Sequence, residues 1–86
     1  MKLVVNLHKA RGVRIGIDLT ARDCGRVFVS GMVDFPSVQV RSLLQIGDVL
    51  VSVNGVRATS ARQASRRIVA SGPTLSLLIS RDEPLA

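Results

Sequence analysis

Apolar residues recur at every second position along much of the chain, and that period predicts strands. Lys2 to Leu7 reads as a strand, with Val and Leu grouped around Val5. His8 to Gly12 is basic and ends on glycine, so it reads as a loop. From Arg14 to Thr20 the alternation is strict. Ile15, Ile17 and Leu19 share one side, and Arg14, Gly16 and Asp18 share the other, as in a half-buried strand. Arg22-Asp23-Cys24-Gly25 is a turn. Arg26 to Val33 is a third strand, with Val27 and Val29 on one face. Pro36 and Ser37 open a segment from Val38 to Gln45 that fits one or two helical turns, closed by Gly47. Asp48 to Val53 alternates through Val49, Val51 and Val53. Asn54-Gly55 follows, a turn pair in which both residues tolerate positive φ.

The clearest helix start is Ser60, with Gln63 three residues on, which is a capping box. The helix is expected over Ala61 to Ala70, ended by Gly72-Pro73: glycine supplies a left-handed cap and proline cannot continue. Thr74 to Ser80 is the last strand, with Leu75, Leu77 and Ile79 on one face. The order is three strands, a short helix, one or two strands, a longer helix and a final strand. The expected fold class is mostly β with two helices (α+β), a small, partly open antiparallel barrel or sandwich of about five or six strands. The 86 residues make one domain, with a core over residues 2–81 and a polar, proline-bearing tail over 82–86.

Charge adds a question to this picture. Twelve basic residues against six acidic ones give a net charge of +6, and ten of the twelve are arginine. Such a balance suits an anionic membrane surface, nucleic acid or acidic protein partners. Nucleic acid is disfavoured, because base stacking needs aromatic platforms and the chain has no Trp, no Tyr and only Phe28 and Phe35. Arg62, Arg66 and Arg67 on the longer helix read as a solvated face. One cysteine, Cys24, excludes an internal disulfide and a multi-cysteine zinc site. With one histidine, His8, and no paired carboxylates, no catalytic set is visible, so no enzyme activity, metal or cofactor is expected. Gly12 and Gly16 make no phosphate loop, since the Lys-Ser/Thr that must follow is absent. The first residues show no leader pattern, and no stretch approaches the ~20 apolar residues of a membrane span. The expected location is the cytoplasm, including the inner face of the membrane.

Three local patterns occur in one order: Arg14-Ile15-Gly16-Ile17, then Leu44-Gln45-Ile46-Gly47-Asp48-Val49-Leu50-Val51-Ser52-Val53-Asn54-Gly55, then the capped helix from Ala61 with Gly72 and an apolar strand behind it. This arrangement resembles the PDZ domain family, in its non-permuted, scaffold-type strand order, over about Lys2 to Arg81. The middle block keeps every element of the family's pattern: an apolar residue, Gly-Asp, an apolar strand and Asn-Gly. The first block departs from the family's usual Gly-Leu-Gly-Phe, with Arg14 in place of the first glycine.

The resemblance implies a protein-interaction module that binds the C-termini of partner proteins as an added strand. Backbone N–H groups of Ile15, Gly16 and Ile17 would hold the terminal carboxylate. Ile15, Ile17 and Leu19, with Ile68 from the helix, would wall an apolar pocket for the last side chain. Ala61, Ala64, Ser65 and Ile68 share one helical face. Many family members carry His where Ala61 stands, to bond a Ser or Thr two residues from the ligand's end. Ala61 therefore implies an apolar residue at that ligand position. Asp18, expected on the side away from the pocket, would meet a basic residue next to the ligand's end, and Ser30 would contact residues upstream. Arg14 belongs to the carboxylate loop, and Lys9 or Arg11 would support the carboxylate from beside it. Arg67 occupies a position often apolar in the family. Affinity on the order of micromolar follows from a few charge-assisted hydrogen bonds and one buried side chain, less the cost of ordering the peptide. The partners would be C-terminal tails, with acidic residues upstream as one option, met by a monomer or a weakly self-associating chain. Two alternatives stand beside this reading: a basic module for anionic lipid headgroups, and a groove for an internal or neighbouring-chain segment.

Overall fold

The structure, a computed structural model, describes residues 1–21, 25–32 and 38–81. The Cys24 turn, the approach to the first helix at Pro36 and Ser37, and the tail over 82–86 lie outside these residues. The order is β1 (Lys2–His8), β2 (Ile17–Ala21), β3 (Val27–Met32), α1 (Val38–Leu43), β4 (Val49–Val53), β5 (Val56–Arg57), α2 (Ala61–Ala70) and β6 (Thr74–Ser80). The strands form one antiparallel sheet in the order β1-β6-β4-β3-β2, with β5 paired to β4. This is the open, mostly antiparallel α+β architecture expected from the alternation.

Alternation decides the core where the strands are regular. In β1, Val5 and Leu7 are buried and Val4 is 65% exposed; in β6, Leu75, Leu77 and Ile79 are sealed from solvent. Val40 and Leu44 from α1 and its exit close one side of this core, and Ala64 and Ile68 of α2 close the other. In β4 simple parity fails. Leu50 and Val53 are buried, whereas Val49 and Val51 are only half-buried. The pairing with β6 moves from Leu50↔Ile79 to Ser52↔Leu78, so Val51 is an extra residue on β4, and the bulge reverses the inward face beyond it. The strand expected from Arg14 begins only at Ile17, because Gly16 takes a φ of 83° and breaks the extended run.

The residues of the middle block hold the fold together. Asn54 and Gly55 have φ of 49° and 81°, and Val53 pairs directly with Val56 across this two-residue turn. Asn54 also bridges elements: its Oδ1 accepts from Ser76 N at 2.8 Å, and its Nδ2 donates to Ser71 Oγ at 2.7 Å. Asp48 is buried, 2% exposed, and accepts two bonds from Arg81, from Nε at 2.9 Å and from Nη2 at 2.8 Å. Gln45 N–H donates to the same carboxylate at 2.9 Å. Arg81 further donates to Leu43 O at 3.2 Å, so one guanidinium joins the end of β6 to the end of α1.

The α2 start is the expected box with one change. Ser60 Oγ accepts from Gln63 N at 3.0 Å, but Gln63 Oε1 accepts from Thr59 N–H, one residue before the cap. The helix end differs more. Ser71, in extended conformation, donates its N–H to Arg67 O and Ile68 O, so no left-handed glycine cap forms. Gly72 is required for another reason: a β-carbon there would stand 2.7 Å from Lys9 O and 2.8 Å from Arg11 N.

Asp48 yields a pH dependence. Burial opposes its ionisation, but the Arg81 hydrogen bonds, the Gln45 N–H and the Arg81 charge together outweigh that and hold the carboxyl below its ordinary value. A carboxyl that is more acidic in the folded state stabilises the fold fully above its unfolded value, and the contribution is lost as pH falls through the folded value. Urea unfolding followed by circular dichroism from pH 7 to pH 2.5 is expected to show a steeper acid loss for the wild type than for Asp48→Asn. At pH 7, Arg81→Met is expected to cost about 3 kcal/mol, since it leaves a buried charge without its partner.

Candidate functional site

β2 is an edge strand: among the described strands only β3 pairs with it. Its other neighbour is α2, a helix that offers no hydrogen-bonding edge. The two elements run in opposite directions. Gly12, just before β2, donates its N–H to Val69 O near the end of α2 at 2.7 Å, and Leu19 and Ala61 line the same cavity further along. Between them is a cavity of about 690 Å³. Ile15, Ile17 and Leu19 form the β2 wall, half-buried against the core. Ala61, Ser65, Ile68, Val69 and Ala70 form the α2 wall. Arg14 and Asp18 stand on the rim of the β2 side, and Arg62 and Arg66 on the rim of the α2 side.

The groove closes at the Arg14-Ile15-Gly16-Ile17 loop. Gly16 needs its positive φ, which a side chain would strain. Among the described residues no backbone carbonyl accepts from the N–H of Ile15 or Gly16. Donors without partners beside an apolar pocket suit an anion attached to an apolar group.

The structure brings together Arg14, Ile15, Ile17, Asp18, Leu19, Ala61, Ser65 and Ile68, all read from the sequence, with Gly16 inside the loop that closes the groove. Ala64, on the same helical face, is completely buried and lies beneath the groove. Asp18 is exposed and shares a face with Thr20, opposite the half-buried Ile17 and Leu19, as alternation suggests. It stands at the mouth, its Oδ2 3.2 Å from the place of a β-carbon on Gly31 of β3. Ser30 is the extra residue where the β2–β3 register shifts, and it does not line the cavity. Its hydroxyl accepts from Thr20 Oγ1 at 2.8 Å and donates to Asp18 O at 3.3 Å, which pins the strand pair.

Lys9 and Arg11 do not line the groove either. Lys9 Nζ donates to Ala10 O at 2.8 Å, to Val69 O at 3.1 Å and to Ser71 O, so its three donors hold the end of α2 against the loop. Arg11 Nε donates to Gly72 O at 2.9 Å. The carbonyls that end a helix lack intrahelical donors and carry partial negative charge, which is why a lysine settles there. Sequence reading omitted Arg62, Arg66, Val69 and Ala70 from the groove. For Arg62, Arg66 and Val69 the available signal was their place directly after Ala61, Ser65 and Ile68 on one helix, from which the two long arginine side chains reach round to the rim. Arg67 is exposed and lies off the groove.

The sequence profile of the PDZ domain matches residues 4–80. The chain belongs to the PDZ domain family. Solved structures agree on the fold. The fifth PDZ domain of InaD superposes with a TM-score of 0.78 at 20% identity, covering 96% of this chain and 99% of that one. The Dlg1 PDZ2 domain of the choanoflagellate Monosiga brevicollis gives 0.77 at 16% identity, covering 95% and 100%. A solution structure of INAD PDZ5 complexed with Kon-tiki peptide gives 0.76 at 21% identity, covering 100% of this chain and 82% of that one. PDZ domains are peptide-binding protein-interaction modules, and this PDZ domain carries its groove between β2 and α2.

The Lys9 contacts predict how this PDZ domain responds to substitution there. Lys9→Met is expected to lower stability by about 1–2 kcal/mol through lost hydrogen bonds, and to speed amide exchange at Gly12, whose bond to Val69 the lysine braces. Denaturant unfolding and hydrogen exchange check this. A solvated loop charge would leave both unchanged.

Proposed function

We propose that the domain binds the extended C-terminal end of partner proteins, which adds as a strand along β2 with its last, apolar side chain in the pocket beside Ile68. The observation that carries this is the free hydrogen-bonding edge of β2 facing an apolar-walled groove closed by unpartnered N–H groups. A strand placed there gains main-chain bonds that do not depend on sequence, while the side-chain pockets select among ligands. The terminal carboxylate would lie at the Ile15, Gly16 and Ile17 amides, with Arg14 beside it. One PDZ domain of the same fold was solved as a peptide complex, which supports the reading.

The residue two before the ligand's end would face Ala61 and Ser65. A methyl group offers it an apolar surface, so an apolar side chain is favoured at that position. Fluorescence polarisation with labelled peptides tests both parts. Amidating the C-terminus is expected to weaken binding at least about tenfold, the loss of one or more charge-assisted bonds. Equal binding of amide and free acid would overturn the proposal. Ala61→His is expected to move the preference two before the end from apolar residues toward Ser or Thr, read by the same assay.

A second surface favours anionic lipid. Lys2, Arg26 and Arg57 line a cavity of about 510 Å³ whose described lining includes no acidic side chain. Vesicles containing phosphatidylserine should retain the domain in sedimentation at low salt and release it as salt rises, whereas neutral vesicles should not bind.

A further inference from the structure

We propose that Arg62 reads an acidic side chain three residues before the end of the ligand, an inference that rests on the groove binding a C-terminal strand. Arg62 is the second residue of α2, six residues before Ile68. At 1.5 Å per helical residue that places it about 9 Å along the groove from the terminal pocket. A strand advances about 3.4 Å per residue, so 9 Å falls between the ligand residues two and three before the end, and the facing of their side chains decides which one Arg62 meets. Side chains of an added strand alternate. The terminal residue and the one two before it face the pocket, and those one and three before it project at the mouth. Arg62 stands on that rim.

The charges on the rim are arranged unevenly along the groove. Near the closed end, Arg66 on α2 stands across from Asp18 on β2, so a side chain one before the end meets both signs. Toward the open end no carboxylate lines the cavity, and Thr20 is the outward-facing β2 residue. Arg62 is exposed, and no hydrogen bond or ion pair occupies it among the described residues. The first turn of α2 contains no acidic residue, so the positive end of the helix dipole reinforces the arginine. A carboxylate three before the ligand's end gains from both. One residue before the end, Asp18 opposes it.

The test uses labelled eight-residue peptides with one apolar C-terminal residue and Glu, Gln or Lys three before it, each as free acid and as amide. With the wild type at about 50 mM salt, Glu is expected to bind about fivefold tighter than Lys, the scale of an exposed pair, and the gap should close in about 0.5 M salt. Arg62→Glu should reverse the order, and circular dichroism should show its fold intact, since the side chain is exposed. Moving Glu to the residue next to the end should remove the advantage, and Asp18→Asn should restore part of it. Equal binding of Glu and Lys peptides, with amidation still harmful, would overturn the role of Arg62 and leave the groove reading standing. An unchanged order in Arg62→Glu would do the same. Amides binding as well as free acids would overturn the groove reading and this inference with it.

Discussion

The gap between β2 and α2 is the constraint on which the rest depends. A strand edge left unpaired exposes a row of donors and acceptors. Here its neighbour is a helix, which satisfies its own backbone and therefore leaves the edge open. The separation is fixed from below and from one end. Ala64 and Ile68 seat the helix on the core, and Lys9 with the Gly12–Val69 bond ties its last turn to the loop before β2. At the other end nothing comparable joins the elements among the described residues. The groove is thus built closed at one end and open at the other, the shape that suits a chain terminus.

The most recognisable residues of the chain serve this geometry from a distance. Asp48 lies outside the groove, in a buried carboxylate site that joins α1, β4 and the end of β6 through Arg81. Asn54 makes a tight turn and then spends its side-chain amide on β6 and on the cap of α2. Each is a short polar side chain that satisfies several backbone groups at once, a task apolar residues cannot perform. Motifs of this kind identify a fold and say little about its ligand. On the proposed reading, ligand choice falls to exposed residues such as Arg62 and Asp18, which the core does not constrain.

The overall charge of +6 has a similarly divided meaning. Arg81 and Arg11 are engaged with the protein's own carboxylate and carbonyl groups, and Lys9 is taken up by carbonyls of the helix end and of its own loop. Among the described residues, charge open to partners stands at the groove rim, at Arg67 on the other side of α2 and around the cavity lined by Lys2, Arg26 and Arg57. Placement, more than net charge, decides what an arginine-rich domain attracts, because each exposed charge acts only within about a Debye length.

The sequence alone determined the strand-rich fold class, the Ser60 start of α2, the Asn54-Gly55 hairpin and the apolar walls of the groove. Each rests on interactions among neighbours in the chain, or on a period of two or 3.6 that a buried face imposes. What it misjudged depends on partners distant in sequence. The inward residues of β4 turned on one extra residue relative to β6. Gly72 was read as a cap, but the backbone of Lys9 and Arg11, some sixty positions earlier, is what forbids a side chain there. Lys9 or Arg11 is expected from the sequence to support a ligand's carboxylate, and the folded chain brings the carbonyls of Val69 and Ser71 within reach of Lys9. Arg62 and Arg66 looked like a solvated face until α2 was laid beside β2. Local pattern sets which surface a residue can occupy, and only the packing of distant elements decides what it meets there.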